Sequence, residues 1–153
     1  MGNFLKYLLK ASLLFSMMAC AGLHKQQLHY NLIGQVFEHK YNTMPQLGAI
    51  SKKGSPLATR IYIYAPTKLK QLDNLNGAFC SQINSTLIAS FVSDSLGYYR
   101  HKLNIGKYSV FVKYENGYYI PYFSGADWAA LFEVKENEKT NLTINVFGPT
   151  NNQ

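Results

Sequence analysis

Gly106-Lys107-Tyr108-Ser109-Val110-Phe111-Val112-Lys113-Tyr114-Glu115-Asn116-Gly117-Tyr118-Tyr119-Ile120 is the stretch whose reading decides the fold. Its side chains alternate with period two, so Tyr108, Val110, Val112 and Tyr114 fall on one face of a strand and Ser109, Phe111 and Lys113 on the other. β-Branched and aromatic residues in this pattern suit a half-buried pleated surface. Asn116-Gly117 then supplies the two positive φ values of a type I′ turn, which predicts that Gly106 to Glu115 folds back on Tyr118 to Phe123 as a hairpin. Pro121 cannot donate to a ladder, and marks the returning strand as an edge or a bulge.

The same alternation recurs on both sides of this segment. Ile61, Ile63 and Ala65 are expected to point inward, with Arg60, Tyr62 and Tyr64 outward; Leu142, Ile144 and Val146 alternate with Asn141, Thr143 and Asn145. Turn signals at Gly54 to Pro56, Asp94 to Gly97 and Asn104 to Gly106 lie close enough to join antiparallel neighbours. Helical periodicity is nearly absent. The chain is therefore expected to be all-β, a single antiparallel β-sandwich of about seven strands. One domain spans residues 31–148, without repeats. Pro66 to Ser85 is long and polar, and reads as a loop where such a scaffold carries variable contacts.

Several of these residues together resemble a known family. Leu32-Ile33-Gly34-Gln35-Val36, and Gly54-Ser55-Pro56-Leu57-Ala58 leading into Ile61 and Ile63, resemble the opening of the carboxypeptidase regulatory-like domain. Ser93-Asp94-Ser95-Leu96-Gly97-Tyr98-Tyr99, followed by Leu103, Gly106, Tyr108, Val110 and Val112, is similar to that family's aspartate-turn-glycine-aromatic segment and the strand after it. Physically, Asp94 can accept hydrogen bonds from the backbone ahead of it, and Gly97 can take a positive φ. The resemblance implies a Greek-key, prealbumin-like (transthyretin-like) sandwich. This chain departs from the family pattern between Phe37 and Gly54, where the connection is longer.

The N-terminus resembles a bacterial lipoprotein signal. Lys6 and Lys10 form a basic region, Ala11 to Met18 an apolar run, and Ala19 precedes Cys20. A membrane-spanning helix needs about 20 predominantly apolar residues, and this run is shorter. The resemblance implies a signal peptide at residues 1–19, cleavage before Cys20, lipid attachment at Cys20 and a tether over residues 20–30. More than one acyl chain is what makes such anchoring stable. Ala21 is not the aspartate that favours inner-membrane retention in some bacteria, so the implied location is the outer membrane. An ordinary cleaved signal with a cysteine nearby is the alternative.

Charge and titratable groups narrow the function classes. The formal net charge is +7, and removing Lys6 and Lys10 leaves +5 (7 − 2). Lys52-Lys53 and the nearby Lys68 and Lys70 are the main concentrations of basic residues, with no basic helix or aromatic RNA-binding signature, so nucleic acid is not an expected partner. Without Cys20, Cys80 has no disulfide partner in the chain and reads as a buried structural thiol. His24, His29, His39 and His101 lack metal-ligand spacing, and no cofactor is implied. The enzymatic branch of the prealbumin-like architecture, the transthyretin-related hydroxyisourate hydrolases, carries a terminal Tyr-Arg-Gly-Ser; this chain ends Gly148-Pro149-Thr150-Asn151-Asn152-Gln153.

Tyr118, Tyr119, Tyr122 and Trp128, with Phe123, form the candidate ligand surface. Exposed rings there would stack on sugar or peptide, whereas packed rings would belong to the core, with Tyr118 and Ile120 pointing inward. Asp94-Ser95-Leu96 resembles a bacterial O-glycosylation acceptor, and turn chemistry accounts for it equally well. The expected function is that of a non-catalytic, lipid-anchored envelope protein, an accessory module that binds an envelope protein or glycan. A small envelope hydrolase of transthyretin-related architecture is the alternative.

Overall fold

The computed structural model describes residues 31–39 and 54–148. The expected signal, the Cys20 attachment point, the 20–30 tether, most of the long first connection and the tail after Gly148 lie outside them. Along the chain come β1 (Leu32–His39), β2 (Ser55–Pro56), β3 (Arg60–Tyr64), a 3-10 turn (Leu69–Gln71), β4 (Leu72–Asp73), β5 (Phe79–Cys80), β6 (Gln82–Ile83) and β7 (Leu87–Val92). There follow β8 (Tyr98–His101), β9 (Gly106–Tyr114), β10 (Gly117–Tyr119), β11 (Phe123–Ser124), β12 (Trp128–Ala129), β13 (Leu131–Val134), β14 (Thr140–Asn141) and β15 (Ile144–Phe147).

These strands form an all-β sandwich. In one sheet β1 is central, with β8 and β2 antiparallel along one side and β14 and β15 parallel along the other. The second sheet runs β5-β10-β9-β3-β7, with β13 on the remaining half of β9. Rings bridge the two layers. Phe91 on β7 stacks on His101 of β8 at 4.5 Å and lies 5.7 Å from Tyr99. Leu32, Val36, Ile144 and Val146 from one sheet and Ile61, Ile63, Val110 and Val112 from the other are fully buried between them.

The turn joining β7 to β8 carries the chain from one sheet to the other, and it closes as the sequence predicts. Asp94 Oδ1 accepts from the Leu96 N–H at 2.9 Å and the Tyr98 N–H at 2.8 Å. Gly97 has φ +78°, and its carbonyl accepts from Val36 N–H at 2.9 Å. A Cβ at Gly97 would overlap the Val36 carbonyl oxygen, so the fold requires glycine here both for φ and for room. Further on, the Tyr108 hydroxyl donates to the Asn104 carbonyl at 2.9 Å, four residues back, which pins the start of β9.

Four local expectations are corrected. The hairpin exists, but Tyr114 pairs with Gly117, so the turn residues are Glu115-Asn116 and the positive φ (+47°) falls on Glu115. The register moves because Gly117 is needed in the ladder, where a Cβ would press on the Cys80 carbonyl at 2.7 Å. The returning strand stops at Tyr119, ahead of Pro121. The last strand, expected among antiparallel neighbours, runs parallel to β1.

The fourth correction concerns Pro66 to Ser85. Strand alternation places Tyr62, Tyr64, Ser109 and Phe111 on the face of the second sheet turned away from the first, yet Phe111 and Ser109 are fully buried and Tyr64 nearly so. The segment 66–85 folds over them, contributing the buried Leu72, Cys80 and Ile83. It is a packed cover with two small ladders rather than a free loop. At its start, the fully buried Thr67 donates a hydrogen bond from its N–H to Ser109 Oγ (3.0 Å), and its hydroxyl meets Ser85 Oγ at 2.7 Å. No buried side-chain polar atom among the described residues lacks a partner.

Candidate functional site

The aromatic residues singled out in the sequence differ in burial. Tyr119 is buried, 3% exposed, with its ring 5.3 Å from Phe79. Its neighbour Ile120 is buried too, so Tyr119 takes the inward position that alternation had offered to Tyr118. The reason is register, because Tyr119 pairs with Val112 on the inner face while Tyr118 pairs with Lys113 on the other. Tyr118 is half-buried, edge-on to Tyr62 at 5.2 Å, with Lys113 Nζ 5.2 Å from its ring centre. Tyr122 is half-buried, and its hydroxyl donates to the Leu131 carbonyl at 3.3 Å. Trp128 is half-buried on β12, where Lys68 Nζ sits 5.1 Å from its ring centre. Backbone bonds tie the cover segment to the β11-β12 ladder: Leu69 N–H donates to the Asp127 carbonyl, and Ala129 N–H to the Thr67 carbonyl.

The titratable groups carry the marks of packing. Burial, reinforced by the Asp73 carboxylate, pushes the Cys80 thiol up to about 11, which keeps it protonated at neutral pH. Burial, with neighbouring Tyr118, pushes Tyr64 up to about 12. Tyr99 is likewise raised by burial, and its hydroxyl donates to the Leu142 carbonyl. His101 is shifted below its ordinary value by burial against Phe91. His39 stacks on Phe147 at 4.7 Å and bonds Asn145 Oδ1 through Nε2 at 3.1 Å. Among the described residues, no three His, Cys, Asp or Glu side chains group as metal ligands.

A concavity lies on the outer face of the first sheet. It is an open trough of about 550 Å³, walled by Ile33 and Gln35 from β1, Tyr98 and Arg100 from β8, and Asn141 and Thr143. Register assembles it: Ile33 lies between Arg100 and Asn141, and Gln35 lies beside Tyr98. Gly34 and Tyr99 form part of the lining, and Asp94 stands at one end. Gln35 Nε2 donates to the Leu96 carbonyl at 2.8 Å, which fixes that amide against the turn. Tyr98 is 54% exposed. The trough thus offers amide and hydroxyl groups for hydrogen bonding, a guanidinium, and one aromatic face.

The sequence marked Asn141 and Thr143 as outward-facing, but nothing in it aligned them with Gln35, Tyr98 and Arg100. The missing signal was the parallel pairing of β14 with β1. A second depression of about 400 Å³ lies where the described chain begins, lined by Asn31, Lys102, Ile105 and the loop Lys135 to Lys139. Asn31 is held there by bonds in both directions to the Leu103 backbone, at 2.7 and 2.9 Å.

No protein-family model matches this chain, and no curated protein or solved structure matches it. Among the described residues no helix is long and apolar enough to cross a membrane.

Proposed function

We propose that this protein is a non-catalytic, lipid-anchored cell-envelope module that binds a hydroxyl-rich ligand, an envelope glycan, in the trough between Gln35, Tyr98, Arg100 and Asn141. The observation that carries the binding reading is the trough itself. Its polar groups are set by sheet register on rigid strands, and an exposed tyrosine beside amides and a guanidinium suits a sugar ring, which presents a flat apolar face ringed by hydroxyls. The lipid anchor at Cys20 and the outer-membrane location rest on the N-terminal residues. Asn31, the first described residue after the expected tether, enters the sandwich beside Ile105, which is 64% exposed, and a rim of mixed charge formed by Lys102, Lys135, Glu136, Glu138 and Lys139.

Two experiments test the reading. Mass spectrometry of the mature protein is expected to find an acylated N-terminal Cys20; an unmodified terminus elsewhere removes the anchor. Titration of the full-length chain with soluble peptidoglycan and lipopolysaccharide-core fragments is expected to show binding that Tyr98→Ala weakens at least about tenfold, a loss of about 1.4 kcal/mol, at unchanged melting temperature. Equal binding by Tyr98→Ala would remove the trough from the function.

A further inference from the structure

We propose that β7 is a self-association strand, and that its free edge pairs antiparallel with β7 of a second copy of this chain across a two-fold axis at Ser90. The inference is independent of the ligand reading. Among the described residues β7 pairs only with β3, and closes its end of the second sheet. Thr86 to Ser93 reads Thr-Leu-Ile-Ala-Ser-Phe-Val-Ser, without a charge or a proline. Leu87, Ile88 and Val92 are 49, 47 and 55% exposed.

Exposed edges are normally blunted, because an unpaired row of N–H and C=O groups templates further strands. The other edges here carry such devices. Arg100 sits on β8, Glu133 on β13 and Pro56 on β2, while β5 and β14 are two residues long and β15 four. β7 is the longest of these edge strands and carries neither charge nor proline; its one irregularity is the register shift at Ile63/Tyr64, opposite Leu87 to Ala89.

From Ala89 to Val92 the backbone of β7 is also presented correctly. Ser93 N–H donates inward to the Thr59 carbonyl at 3.0 Å, so alternation turns the polar groups of Phe91 and Ala89 toward β3 and those of Ser90 and Val92 toward the open edge. Antiparallel pairing centred on Ser90 sets Ile88 of each copy opposite Val92 of the other and places the small serines together on the axis. Apolar thus meets apolar at both ends, as a two-fold interface requires. The strand carries no charge to select an oppositely charged foreign peptide, and this favours the second copy as its occupant.

The test is sedimentation of the full-length chain in density-matched detergent. A concentration-dependent dimer is expected. Ser90→Lys places two ammonium groups on the axis and is expected to raise the dissociation constant at least about tenfold. Because Ser90 is exposed, the melting temperature of the monomer should not move. Ile88→Glu and Val92→Lys are each expected to weaken the dimer, and an equimolar mixture of the two is expected to restore it, since the carboxylate introduced in one copy then faces the ammonium introduced in the other. Rescue by mixing cannot come from a folding defect, so it decides the matter if Ser90→Lys proves unstable. A chain that stays monomeric up to about 1 mM, a dimer indifferent to Ser90→Lys, a mixture that fails to re-form the dimer, or a monomer that takes up an extended peptide instead would each overturn the proposal.

Discussion

Replacing Gly97 by alanine is expected to destabilise the domain by about 3 kcal/mol, and the structure supplies each part of that figure. An L side chain in the left-handed region costs about 1–2 kcal/mol, and Gly97 has φ +78°. The reduced freedom of the unfolded chain offsets about 0.4–1 kcal/mol of this. The added methyl would overlap the Val36 carbonyl oxygen, which itself accepts from Leu57 N–H at 3.0 Å. Moving that packed backbone costs about 1–3 kcal/mol more. Gly125 is the control, with φ +65° and nothing within 4 Å of the position a Cβ would take. Gly125→Ala should therefore cost only about 1 kcal/mol. The assay is urea unfolding of both variants, compared at equal slope. Values agreeing within about 0.5 kcal/mol would refute the claim that Gly97 is needed for the close approach of the turn to β1.

Phe111→Ala is expected to cost about 3–5 kcal/mol, because the cover segment leaves that ring with no exposure; a loss below about 1 kcal/mol in denaturant unfolding would mean that the outer face is bare. His101 is held below its ordinary value by burial, so the unfolded state binds more protons as the pH falls through that ordinary value. Stability should therefore be full above it and decline below. His101→Phe should flatten the dependence in unfolding curves taken between about pH 5 and 7, and an unchanged slope would argue against burial as the cause. Cys80, with its thiol pushed up to about 11, should react with a thiol reagent at mildly alkaline pH only as fast as the protein opens. Rapid labelling of the native chain at Cys80 would contradict its packing under the cover.

How much of this was legible before folding depended on distance along the chain. The turn at Asp94 to Gly97 was, because an Asx acceptor, a positive-φ glycine and the strands they join lie within a few residues. The alternation of Val110 and Val112 against Ser109 and Phe111 was equally plain. Its consequence was not, since outward on a strand means exposed only if nothing returns to cover it. Leu72, Cys80 and Ile83 stand in a run without period, and no local signal announces that they close over Phe111. Which ring of the aromatic cluster turns inward was hidden for a related reason. Tyr118 and Tyr119 differ by one residue, and the register of β10 against β9, set by where Gly117 had to lie, decided which ring went into the core.

Period-two patterning and turn chemistry are local, and they were sufficient to make this chain an all-β sandwich with its main strands where the residues indicate. Pairing between remote segments is not local. The parallel match of β14 and β15 with β1 brings Asn141 and Thr143 beside Gln35, and the return of residues 66–85 over the second sheet turns outward side chains into core. The free flank of β7 is visible only once the other described strands have found their neighbours. Strand partners are chosen by which apolar faces can be buried together, and that choice exists only in the assembled fold.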